Sequence, residues 1–87
     1  MDSYAFRVVI EKDEDVFHAY CPGLKGCHSW GYTQEEAMAH IREATEAYVE
    51  DLIKAGESIP AEAFEPEKGR RTEKTFLLPV PIAAAAA

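Results

Sequence analysis

His18, Cys21, Cys27 and His28 are four soft or borderline metal ligands close together in the chain. Zinc takes four such donors in a tetrahedron. Five residues separate Cys21 from Cys27, which is not a zinc-knuckle spacing. The two histidines are expected on different faces of their strands, so the reading is no metal site. In a reducing compartment the two cysteines are expected as thiols rather than a disulfide. Cys27 follows a tight glycine turn and reads as a small buried apolar residue. A Cys27–His28 nucleophile pair lacks any third group to orient the imidazole.

A second cluster is acidic: Glu11, Asp13, Glu14 and Asp15, with Lys12 among them. A metal-dependent nuclease needs several carboxylates converging on divalent ions, one of them within the first strand. The acids here are expected in a solvated turn beyond that strand. The chain is therefore read as a non-enzyme with no cofactor. Gly69-Arg70-Arg71, the one basic cluster, reads as a solvated connection rather than a nucleic-acid contact.

The elements that position these residues follow from periodicity. Tyr4, Phe6, Val8 and Ile10 share one parity, with Ala5, Arg7 and Val9 on the other, as in a strand with one face on a core. After the charged turn, Val16–Cys21 gives a second strand, and Pro22–Gly26 breaks it. Cys27–Gly31 supplies a short third strand. Thr33-Gln34-Glu35-Glu36 has the pattern of a capping box, in which Glu36 reaches back to the amide of Thr33. Ala37, Met38, Ile41, Ala44, Tyr48, Val49, Leu52 and Ile53 form one apolar stripe, and Gly56 is placed to end the helix in a left-handed cap. A helix over about 33–55 follows. The Pro- and charge-rich stretch 57–73 reads as a connection with a helical turn around Ala61–Phe64. Phe76, Leu78, Val80 and Ile82 alternate as a last strand, which Pro79 and Pro81 confine to a sheet edge.

The order is β-β-β-α-β: an α/β (α+β) domain whose mixed four-stranded sheet has the order 3-2-1-4, the last strand parallel to the first, with one long helix on one face. Arg7, Val9, Phe17 and Leu77 are expected on the other face. One helix cannot cover both faces, and an uncovered apolar face marks an interface. Residues 1–82 read as a single domain and 83–87 as an alanine tail.

With 87 residues, 47% of them apolar, and a formal charge of −7, the chain has the make-up of one acidic globular domain. Such a surface repels phosphate backbones and suits a basic protein partner. There is no apolar run of membrane-spanning length, and the first residues do not have the form of a signal peptide, so a cytoplasmic location is expected.

From Phe17 to Ala37 the chain resembles the HicB family. In that family an apolar strand leads to a Pro-x-Leu-x-Gly-Cys loop, here Pro22-Gly23-Leu24-Lys25-Gly26-Cys27, then to a small polar strand ending in Gly31. Thr-x-Glu-Glu-Ala, here Thr33–Ala37, opens the helix. Ile10–Asp13 and Gly56–Pro60 resemble the flanking family segments, with Pro79-Val80-Pro81 a weaker echo. The resemblance implies a reduced ribonuclease-H-like fold. It implies an antitoxin of a bacterial type II toxin-antitoxin system that neutralises a HicA-type toxin, a small basic mRNA-cleaving RNase, by protein-protein binding, and that forms a homodimer or homotetramer. The alternative is an orphan homo-oligomeric interaction module without a toxin. No DNA-binding module is seen after the helix, so direct DNA binding is not expected. Tyr20, Pro22, Leu24, Trp30 and Tyr32 are the expected protein interface.

Overall fold

The structure, a computed structural model, describes residues 3–64 and 75–81. The elements run β1 (Ser3–Asp13), β2 (Val16–Tyr20), β3 (His28–Gly31), α1 (Gln34–Lys54), a 3-10 turn (Ala61–Ala63) and β4 (Thr75–Pro81). The strands form one sheet in the order β3-β2-β1-β4, as expected. The alanine tail, Ile82 and Gly69-Arg70-Arg71 lie outside the described residues.

Two expectations about the strands need correction. β4 pairs with β1 antiparallel, Ser3 opposite Pro81 and Val9 opposite Thr75, so the sheet is antiparallel throughout rather than mixed. The parallel reading treated the chain after α1 as a simple return. Nothing in the sequence between α1 and β4 fixes that direction, and the register does. Secondly, β1 continues through Asp13, so Glu11 and Asp13 are strand residues and only Glu14 and Asp15 make the turn. The tightness of that turn shows in Glu14, a non-glycine residue at φ 56°.

α1 starts and stops as its end residues dictate. The Thr33 hydroxyl accepts from the amide of Glu36 at 3.0 Å. The Glu36 carboxylate reaches back one residue further than expected, accepting from the amide of Tyr32 at 3.0 Å. At the other end Gly56 takes φ 74°; its amide donates to the Ile53 carbonyl and that of Glu57 to the Leu52 carbonyl. These two bonds are a Schellman cap, which a residue at positive φ makes possible.

The core lies between α1 and one sheet face. Phe6, Val8 and Ile10 from β1, Ala19 from β2 with Cys21 just beyond it, and Leu78 and Val80 from β4 meet Ala37, Ile41 and Val49 of α1. Thr45 joins the buried helix line, four residues from both Ile41 and Val49, and its hydroxyl lies 3.7 Å from the Cys27 sulfur. Phe64, just after the 3-10 turn, closes one end, its ring 4.9 Å from that of Phe6. The turn sits so close to the β2–β3 loop that a Cβ on Gly23 would lie 2.3 Å from the Ala63 nitrogen.

Candidate functional site

The strand registers decide which side chains reach the uncovered face. Val9 lies opposite Tyr20 and Glu11 opposite His18 across β1–β2; His18 lies opposite Trp30 and Tyr20 opposite His28 across β2–β3. Residues opposite one another share a face. Arg7, Val9, Glu11, His18, Tyr20, His28, Trp30 and Leu77 therefore share the face away from α1. Phe17 does not. It lies opposite Lys12, on the parity of Ile10, and packs against the core. Its place on the open face is corrected accordingly.

The same registers separate the metal-ligand types. His18 and His28 fall on the same open face, contrary to the expectation of different faces, whereas Cys21 and Cys27 are buried on the helix side. The four cannot meet around one ion. Among the described residues no three His, Cys, Asp or Glu side chains are grouped to hold a metal. Burial pushes the Cys21 thiol up to about 11, reinforced by the nearby Cys27, and burial raises Cys27 as well. Both are free thiols.

The acids of β1 are engaged with their neighbours. Glu11 accepts from the Tyr20 hydroxyl at 3.1 Å, and Asp13 lies 3.6 Å from Nε2 of His18. Partial burial and the bond to Glu11 raise the Tyr20 phenol above its ordinary range, against a smaller opposing pull from Arg7.

The five expected interface residues divide. Tyr20 and Trp30 stand on the open face, 37% and 47% exposed, and Tyr32, 65% exposed, follows β3 at its rim. The Trp30 and Tyr32 rings meet edge to face, with centroids 5.1 Å apart. Pro22 is exposed in the β2–β3 loop, away from this pair. Leu24 is only 2% exposed and belongs to the core, a correction to its place in the set. Its amide donates to the Cys21 carbonyl and its carbonyl accepts from the Cys27 amide, both at 3.0 Å, so the loop folds back and turns this side chain inward.

His40 was not singled out by sequence. It lies on the exposed side of α1, yet its ring Nδ1 is 2.7 Å from the carbonyl oxygen of Trp30. The carbonyl can only accept, so Nδ1 carries the proton. The period of the helix gives no sign of this contact, because it depends on how α1 crosses the edge of β3.

An acidic, one-helix domain with an all-antiparallel sheet and an aromatic rim beside its open face defines a small α+β module. The chain belongs to the HicB-like antitoxin family of bacterial toxin-antitoxin systems, whose model matches residues 6–73. Relatives of the UPF0150 group include a Synechocystis protein 50% identical over 60 residues, covering 68% of this chain and 76% of that one. Another, from Thermoplasma acidophilum, is 43% identical over 61 residues, covering 69% and 88%. The crystal structure of the Burkholderia pseudomallei antitoxin HicB superposes with a TM-score of 0.69 at 28% identity, covering 91% of this chain. This chain spans 62% of that protein. The isolated N-terminal domain of the same antitoxin matches with a TM-score of 0.68, covering 90% of this chain and 96% of the domain.

Proposed function

We propose that this chain acts as an antitoxin without catalytic activity of its own, binding a small basic mRNA-cleaving toxin of the HicA type and covering its active site. It acts in the cytoplasm, needs no cofactor, contacts no DNA and self-associates as a homodimer or homotetramer. Residues 1–82 act as the single binding domain.

The observation that carries this reading is the pair Trp30–Tyr32, two large exposed aromatic side chains in contact at the rim of the sheet. Exposed aromatics of this kind anchor protein interfaces. The formal charge of −7 favours encounter with a basic partner. Tyr20 and Pro22 extend the contact surface. Among the described residues no helix is long and apolar enough to cross a membrane.

The test is to look beside this gene for a reading frame encoding a small basic protein and to co-express the two. The expected result is a complex that co-purifies and restores growth to cells expressing the basic protein. Trp30→Ala is expected to weaken it about 30-fold, a hot-spot loss of about 2 kcal/mol. No complex with that neighbour, and no rescue, overturns the reading.

A further inference from the structure

Residues 30, 31 and 32 are each tied to the first two turns of α1. The carbonyl of Trp30 accepts from Nδ1 of His40 at 2.7 Å, and the amide of Tyr32 donates to the Glu36 carboxylate at 3.0 Å. Between them Gly31 is buried, and a Cβ there would lie 2.6 Å from the Ala37 nitrogen and 2.9 Å from the Glu36 Cβ. The backbone that carries the two exposed rings is thus fixed against the helix. The rings meet at 83°, two walls of a corner with the Glu36 carboxylate against the Tyr32 backbone. A surface held in this way loses little freedom when a partner arrives, which favours affinity.

The corner is negative. Glu35 and Glu36 both lie in the first turn of α1 and are exposed. Among the described residues neither forms an ion pair; the one ion pair joins His18 and Asp13. A helix start carries about half a positive charge, which two carboxylates outweigh. The faces of aromatic rings attract cations as well. An anion is repelled here, and an apolar side chain would desolvate the carboxylate without pairing it. Of the two cations a protein offers, a guanidinium is planar and weakly hydrated, stacks on rings and forks to a carboxylate. An ammonium is a strongly hydrated point charge.

We infer that the corner of Trp30, Tyr32 and Glu36 receives an arginine side chain of the basic partner, its guanidinium against the rings and paired with Glu36. The partner is that of the antitoxin reading, on which this assignment rests. Glu36 then has two tasks: one oxygen completes the helix cap, and the charge selects the partner. The cap needs only an accepting oxygen at this position, which glutamine also supplies. One substitution therefore separates the two tasks.

Trp30 is the single tryptophan of the chain, so its fluorescence reports the corner directly. The full chain is titrated with hexa-arginine, hexa-lysine and hexa-citrulline peptides. A saturable change is expected with arginine, binding at least ~3-fold weaker with lysine, and none with uncharged citrulline. Glu36→Gln is expected to keep the fold, checked by circular dichroism, and to weaken arginine binding about 10-fold. Tyr32→Ala, at an exposed position outside the cap, is expected to weaken it about 3-fold. Glu57→Gln removes the same charge beyond the other end of α1 and is expected to change little. Lysine bound as tightly as arginine, binding unaltered in Glu36→Gln, or an equal loss in Glu57→Gln each overturns the inference. A complex with the basic neighbour that Glu36→Gln leaves unchanged also overturns it, while the antitoxin reading stands. Arginine binding that depends on Glu36, without any complex with that neighbour, supports the corner and overturns the antitoxin reading alone.

Discussion

Nδ1 of His40 lies 2.7 Å from the carbonyl oxygen of Trp30, so a helix side chain satisfies a backbone acceptor on the free edge of the sheet. The bond occupies one acceptor on the β3 edge, opposite the β4 edge where Pro79 and Pro81 lie. His40→Ala is expected to cost about 0.5–1.5 kcal/mol, the net worth of one such bond. It is also expected to raise aggregation, because an edge without its guard pairs with other chains. Urea denaturation and light scattering measure the two effects separately.

Glu14 takes φ 56° in a turn where a β-carbon is unwelcome. Left-handed backbone costs an ordinary residue about 1–2 kcal/mol, and asparagine tolerates it better. Glu14→Asn is therefore expected to raise the urea midpoint, with no change in partner binding.

Gly23 has no room for a side chain against the 3-10 turn. A Cβ there lies 2.3 Å from the Ala63 nitrogen and 2.5 Å from its Cα. Gly23→Ala is expected to cost about 1–3 kcal/mol, as overpacking does, and to speed proteolysis within residues 57–64. Gly26, at φ 80° with open space around it, is the control, and Gly26→Asn is expected to be tolerated.

Burial holds the Cys21 thiol at about 11 in the folded chain, against an ordinary 9.0. Between those values the unfolded chain has lost its proton while the folded chain keeps it, so stability falls as pH rises through this window. At about 1.4 kcal/mol per unit, roughly 2–3 kcal/mol is lost. The slope is expected to shrink in Cys21→Ala, as followed by urea denaturation at pH 8.5 to 11. At pH 8 both thiols are expected to react with a thiol reagent far more slowly in the folded chain than in urea.

Local features were readable in the residues, and long-range ones were not. Thr33, Glu36 and Gly56 specify the two ends of α1 within a few residues, and alternation gives β1 and β2. Prolines 79 and 81 place β4 at an edge. Its direction depends on the path of residues 55–74, where no periodic pattern operates, so the parallel reading had nothing to correct it. Phe17 has an aromatic side chain that suits either face, and only its pairing with Lys12 assigns it to the helix side. Leu24 lies in a Pro-Gly loop and looks exposed; the hydrogen bonds from residue 21 to 27 turn it inward. Of the candidate site, Trp30 and Tyr32 were legible as large aromatics in a short polar strand and the turn after it, whereas the contact from His40 arises only when helix and strand are packed.

β1 is an inner strand whose neighbours are made at very different times. β2 begins at Val16, but β4 begins only at Thr75. At about 5–20 residues per second, a growing chain waits several seconds before the second flank of β1 can be paired. Throughout that interval the backbone beside Phe6 and Val8 is bare and available to other nascent chains. A message truncated before codon 75 would make that exposure permanent, yielding material for aggregation and degradation in place of a shorter working domain.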